Sequence, residues 1–153
     1  MIDEIRHIVA ERLSDLDGPH SVSGVVALRR SSEGVAPHVY RRGDDLSGLE
    51  ISPGYPLMTV VARLQKAFPD ARVGVVARGC DERAFVEMAK RNQINQEHLE
   101  ILGIACTEEE AAACHCHAPF PENLMAGTPV PAGPPNPIAV SYTHLRAHET
   151  KAN

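Results

Sequence analysis

The sequence predicts an α/β domain in which a small mixed sheet with a βαβ core is flanked by helices. Two short and largely apolar runs, at residues 72–77 and 99–105, are typical of strands that are covered on both faces. The segment between them, residues 81–93, carries apolar residues at helical spacing. Strand, helix and strand in that order predict a right-handed crossover and parallel pairing of the two strands.

The elements before this core follow from local patterns. Apolar residues recur at helical spacing from Ile2 to Leu13, which predicts an amphipathic helix of about 14 residues. Residues 21–30 and 35–41 are rich in β-formers and flank a turn signal, so we expect a hairpin there.

The remaining elements are marked by prolines and capping residues. Residues 41–56 are turn-rich and contain one short candidate strand, and a helix should begin at Pro56 and end before Pro69. Thr107 and Glu110 have the spacing of a capping box, which predicts a helix start directly after the second core strand.

The chain divides into three predicted regions. Residues 1–118 form the α/β domain, and residues 119–139 are expected to be a linker or extended arm without packed elements, because seven of these 21 residues are proline. Val140–Asn153 resembles a translated sequencing-library adapter, so we treat it as non-native and do not count its histidines, His144 and His148, as ligands. The natural chain is therefore expected to continue, with carboxyl-side domains missing here.

Charge and hydropathy narrow the class of protein. The net charge of −5 disfavours a nucleic-acid partner and an anionic membrane surface, since both require clustered Lys and Arg. No apolar run approaches the roughly 20 residues that span a bilayer, and residues 1–13 lack the features of a secretory signal. These observations predict a cytoplasmic location.

Four cysteines, at positions 80, 106, 114 and 116, are the residues that carry chemistry. In a reducing compartment this density indicates metal or redox chemistry before disulfides. Cys80 follows the first core strand and Cys106 follows the second, so both should emerge at the carboxyl edge of the sheet. Each also lies at a predicted helix start, and we expect that setting to favour the thiolate.

Cys114 and Cys116 lie in a predicted loop that can fold back over the same edge. Four converging thiolates suit an iron–sulfur cluster or a structural zinc ion. The spacing is neither that of a ferredoxin run nor that of a zinc ribbon. A zinc site that uses His115 or His117, a redox-active C-x-C pair and cysteines without any site therefore stay open.

Two residues beside Cys80 are candidate cofactor contacts. Gly79 would let backbone N–H groups approach a sulfur, and such hydrogen bonds tune the potential of a cluster. Arg83 would shield the charge of a cluster or dock a partner, with a solvated surface residue as the alternative. Asp81 is expected to cap the helix.

The stretches GVVARGCDERAFVEMAKRNQI and LEILGIACT, followed by a close cysteine pair and prolines, resemble the beta-subunit family of coenzyme F-420-reducing hydrogenases and formate dehydrogenases. They are similar in particular to iron–sulfur relatives associated with heterodisulfide reductases. The resemblance spans about residues 73–121 and implies a [4Fe–4S] cluster on Cys80, Cys106, Cys114 and Cys116. One departure is that C-x-C stands here where relatives carry C-x-x-C.

The function that the resemblance implies is electron transfer within a redox complex. Its partners would be proteins such as a hydrogenase or a heterodisulfide-reductase-like subunit. FAD or deazaflavin binding, and any oxidoreductase activity, would belong to the missing carboxyl-side part. The alternatives are a structural zinc-binding interaction domain without a redox role and a fragment whose site is completed by other sequence.

Overall fold

A computed structural model of the chain describes residues 1–134. The helices are α1 (Ile2–Ser14), α2 (Leu57–Ala67), α3 (Gly79–Lys90) and α4 (Glu108–Ala113). The strands are β1 (Gly24–Ser31), β2 (Gly34–Tyr40), β3 (Leu49–Glu50), β4 (Val73–Ala77), β5 (Leu99–Ile104) and β6 (Leu124–Ala126). A 3₁₀ turn, Gln96–His98, leads into β5.

The strands form one mixed sheet in the order β2–β1–β4–β5–β6. β1 pairs antiparallel with β2, and its first residues pair parallel with β4 while its later residues pair antiparallel with β3. β4 and β5 pair parallel, as do β5 and β6. The predicted α/β class, the hairpin and the β4–α3–β5 core are therefore confirmed.

Helices cover both faces of this sheet, which explains why the central strands are largely apolar. On one face, Ile5, Val9 and Leu13 of α1 pack against the sheet in one buried cluster. On the other face, α2 packs into a second cluster through Leu57, Met58 and Val61, and α3 adds partly buried residues. Every residue of β4 is buried, as expected for a strand covered on both sides. None of the helices within residues 1–134 is long and apolar enough to cross a bilayer.

Helix α3 begins at Gly79, two residues before the predicted start. The reason is local: the Asp81 carboxylate accepts the backbone N–H of Arg78 at 3.0 Å, so Asp81 caps the helix from inside its first turn. Cys80 consequently lies within the first turn of α3 and not in front of it.

The expectation that residues 119–139 contain no packed element is wrong for Leu124–Ala126, which form β6. Proline cannot donate to a strand ladder, but none lies within β6 itself. Pro121 just before it is fully buried, and Ala126 is 1% exposed. The domain boundary at residue 118 stays a prediction, and residues 135–153, including the adapter-like tail, lie outside the described part of the chain.

Gly103 of β5 allows the segment before β6 to pack closely. A Cβ at this position would lie closer than 3.0 Å to the Asn123 carbonyl oxygen and to the Pro121 ring. We expect Gly103→Ala to lower the free energy of unfolding in urea by roughly 1–3 kcal/mol, because backbone must shift to admit the methyl group. Gly54→Ala is the matched control, since its methyl group meets its nearest atom, Arg78 Nη1, at 3.5 Å. Equal stability of the two variants would contradict this packing role.

Candidate functional site

The first two cysteines lie on two turns at the carboxyl edge of the sheet. Cys80 is in the first turn of α3, and Cys106 is in the turn between β5 and α4. β4 ends at Ala77 and α3 begins at Gly79, while β5 ends at Ile104 and α4 begins at Glu108. Because β4 and β5 are parallel neighbours, the turns that hold Cys80 and Cys106 lie side by side. This is the placement that the sequence predicts.

The end of α4 determines where the other two cysteines lie. The N–H of Cys116 donates to Ala111 O at 2.9 Å, and the N–H of His115 donates to Ala112 O at 3.1 Å. These two bonds, with His115 in the left-handed region at φ 48°, form a Schellman motif that reverses the chain. Cys116 is turned inward and buried, whereas Cys114 is exposed.

Three of the four thiols therefore share one region. An ionised Cys116 would raise the pKa of Cys80, and both would raise the pKa of Cys106, so the three sulfurs are close enough to interact through charge. Nη2 of Arg83 lies 3.8 Å from the Cys116 sulfur. The structure thus brings Cys80, Cys106 and Cys116 to one edge with Arg83. Cys80 and Cys114 are both exposed, Cys106 is partly buried and Cys116 is buried.

Cys80 and Cys106 are held in their neutral form. Burial raises the pKa of Cys106 to about 11, and Glu110 and the neighbouring thiols oppose its ionisation further, against the charge of Arg78. Cys80 is an exposed residue, but partial burial of its sulfur is the largest cause of its raised pKa, followed by the Asp81 carboxylate. The expectation that these positions favour thiolates is therefore wrong, because desolvation by burial is the largest cause of both pKa shifts and raises each pKa.

Thiol side chains are suitable ligands for an iron–sulfur cluster or a zinc ion, but the positions of these thiols are not those of a formed metal site. Thiols from three segments meet at one edge, which suits either group. Among residues 1–134, however, no three His, Cys, Asp or Glu side chains lie together in a way that could hold a metal ion. Joint ligation would require the segments that carry the thiols to move closer together.

Gly79 has a packing role that the sequence does not reveal. A Cβ on Gly79 would lie closer than 3.0 Å to the carbonyl oxygens of Ala118 and Phe120. The N–H of Cys106 donates to Pro119 O at 2.8 Å. The segment after the cysteine pair therefore lies directly on the two cysteine-bearing turns.

Residues 127–134, which we call the strap, pass back over the end of α4 beside Cys116. The N–H of Gly133 in the strap donates to Cys116 O at 2.7 Å. His115 Nδ1 donates to Pro134 O at 3.0 Å. A Cβ on Gly133 would lie closer than 3.0 Å to Ala111 O, so the strap packs tightly on the end of the helix.

A buried ion pair at this edge was missed by sequence reasoning. The Arg78 guanidinium, with its side chain 9% exposed, lies 2.8 Å from Glu110 Oε1. It also donates to Ile51 O and, at 3.2 Å, to Ser52 Oγ. A charged residue directly after a wholly apolar strand is a signal that could have indicated it.

Glu110 is held as a carboxylate. Burial pushes its pKa upward, but hydrogen bonds from Ser52 Oγ and the Thr107 N–H, together with the charge of Arg78, outweigh burial and lower the pKa. Thr107 Oγ1 in turn accepts the N–H of Glu110 at 3.1 Å, which confirms the predicted capping box.

Comparison with known proteins finds a short match. A 43-residue segment of the chain is 40% identical to the F420-dependent formate dehydrogenase 1 subunit beta of Methanococcus maripaludis. The match covers 28% of this chain and 11% of that subunit. This is a distant relation. No family model matches the chain.

The raised pKa of Cys106 can be measured by alkylation. In a variant that retains only Cys106, the rate of reaction with iodoacetamide should rise with pH toward a midpoint of about 11. At pH 8 we expect it to react roughly a hundredfold more slowly than a thiol with an ordinary pKa, because only the thiolate reacts. The same variant unfolded in urea is the control. A folded-state midpoint at or below that of the unfolded protein would contradict burial as the cause.

Proposed function

We propose that this chain is an electron-transfer domain in which the thiolates of Cys80, Cys106, Cys114 and Cys116 hold a [4Fe–4S] cluster. The observation that carries the proposal is that Cys80 and Cys106 follow neighbouring parallel strands at the carboxyl edge of the sheet, and that the end of α4 turns Cys116 inward. Such edges are where α/β folds build their sites. When bound, the cluster would supply a centre that accepts and donates single electrons.

The distant relative supports a redox role. Its name describes an F420-dependent subunit of a formate dehydrogenase. We propose that the complete protein likewise belongs to a dehydrogenase, hydrogenase or heterodisulfide-reductase-like complex and works with a flavin or deazaflavin. We also propose a cytoplasmic location, since all four cysteines are free thiols.

The residues around the thiols would each contribute differently. Arg83, already 3.8 Å from the Cys116 sulfur, would offset the negative charge of the thiolates. The N–H of Cys106 is bonded to Pro119 O and would not reach a sulfur unless that segment moved. Gly79 would contribute chiefly by admitting the carbonyl groups of the segment that covers the edge.

Cluster binding should become tighter as the pH rises. The pKa values of Cys80 and Cys106 are raised in the metal-free protein, so both thiols are protonated at neutral pH. Ligation requires thiolates and therefore releases these protons, and raising the pH favours the loaded form.

Anaerobic reconstitution of the full chain with iron and sulfide tests the proposal. We expect a brown protein whose broad visible absorbance bleaches on addition of dithionite, with iron and sulfide in the ratio of a [4Fe–4S] cluster. Cys80→Ser, Cys106→Ser and Cys116→Ser should each abolish or strongly reduce the absorbance. Cys114→Ser tests whether the exposed thiol supplies the fourth ligand.

His117→Ala is the matched control, because His117 is an exposed potential ligand in the same loop. It should leave the absorbance unchanged. A colourless protein that retains stoichiometric zinc, and loses it on His117→Ala or Cys116→Ser, would replace the cluster with a structural zinc site. A chain that binds neither iron–sulfur nor zinc would refute both.

A further inference from the structure

The ion pair between Arg78 and Glu110 connects the two turns that carry Cys80 and Cys106. Arg78 stands two residues before Cys80, and Glu110 stands four residues after Cys106. Their side chains meet at 2.8 Å, and the guanidinium is largely shielded from solvent, with 9% of the Arg78 side chain and 25% of the Glu110 side chain exposed. No other ion pair found within residues 1–134 joins these two turns.

Each member of the pair is fixed to its own turn by a second interaction. The backbone N–H of Arg78 donates to Asp81 Oδ2 at 3.0 Å, which ties it to the first turn of α3. Glu110 Oε2 accepts the N–H of Thr107 at 2.9 Å, which ties it to the first turn of α4. A change in the ion pair would therefore be transmitted to both cysteine-bearing turns.

The pair is not explained by the stability of the core alone. Neither residue belongs to the apolar clusters on the two faces of the sheet. A largely buried ion pair is seldom more stabilising than apolar side chains of the same volume, since desolvation of both charges offsets their attraction. Its location at the edge, beside two of the three convergent thiols, points to a role in the geometry of that edge.

We propose that Arg78 and Glu110 are a positioning pair that sets the separation of the Cys80 and Cys106 sulfurs. This inference rests on the proposed function for its purpose, which is to hold two ligands of the site at a fixed spacing before metal binds. The other two contacts of the guanidinium, with Ile51 O and Ser52 Oγ, hold the pair against the loop before α2. Neither residue is placed in contact with a cluster.

The test measures thiol spacing in metal-free protein. In the full chain carrying Cys114→Ser and Cys116→Ser, only Cys80 and Cys106 remain to react with dibromobimane, which bridges neighbouring thiols. Mass spectrometry gives the ratio of bridged to singly alkylated product. That ratio reports spacing, whereas the overall rate reports ionisation, so a change in thiol pKa is separated from a change in geometry.

We expect Arg78→Met and Glu110→Gln each to lower the ratio about fivefold, and the double variant to lower it no further, because both changes remove the same interaction. Glu110→Gln keeps the shape of the side chain and guards against loss of fold, which circular dichroism and the melting temperature monitor. Arg63→Met, at an exposed arginine of α2, is the matched control and should leave the ratio unchanged.

Three results would contradict the proposed positioning role. The first is that the two-cysteine protein forms no bridged product. The second is that folded Arg78→Met and Glu110→Gln variants keep a bridging ratio within about twofold of that protein, and the third is that the losses add in the double variant. Iron–sulfur assembly is scored separately in the wild-type chain. If assembly fails while bridging depends on the pair, the proposed function falls and the positioning pair stands. If assembly succeeds while bridging ignores the pair, the reverse holds.

Discussion

The carboxyl edge of this domain depends on one buried positive charge. The Arg78 guanidinium lies at the end of a strand whose residues are all buried, so it must find partners or carry a large desolvation cost. It finds three partners, which lie in two other parts of the chain: Glu110 on α4, and Ile51 and Ser52 in the loop before α2. Removing any one of them leaves the others bonded to a charge that is less well compensated. The charge therefore acts as a common anchor for segments that are far apart in sequence.

The parallel pairing of β4 and β5 places two cysteines beside this arginine. In β4 and β5 the strand ends meet at one edge, and each is followed at once by a helix, so the Cys80 and Cys106 turns are neighbours by topology. The third thiol arrives by a different route, because the Schellman motif at the end of α4 turns Cys116 back toward the sheet. Topology accounts for two of the thiols and local helix-capping geometry accounts for the third.

Much of this could be predicted from the sequence, and the failures have a common cause. Periodicity and capping residues predict α1, the hairpin, α2, β4, α3 and β5, because their signals are local. The strand Leu124–Ala126 could not be predicted, because its signal is not local. The many prolines lie on either side of it, and what makes it a strand is its pairing with β5. The Arg78–Glu110 pair is hidden for the same reason: its members are 32 residues apart, and only the fold shows that they meet. The roles of Gly79 and Gly103 likewise depend on the carbonyl groups that the folded chain brings against them.

The protonation state of Cys106 explains how a potential metal ligand can be packed at this edge when no metal is bound. A thiolate at Cys106 would lose hydration on burial, and the raised pKa means that the metal-free protein holds a neutral thiol there. A neutral thiol behaves as a small apolar group, so it can lie under the 118–120 segment without a counter-charge. Cys116 is likewise packed under the strap, 9% exposed. Burial at this edge therefore opposes ionisation of Cys80 and Cys106. The charge of Arg78, which is paired with Glu110, favours the Cys106 thiolate but does not outweigh burial, so a bound metal centre would have to supply further positive charge.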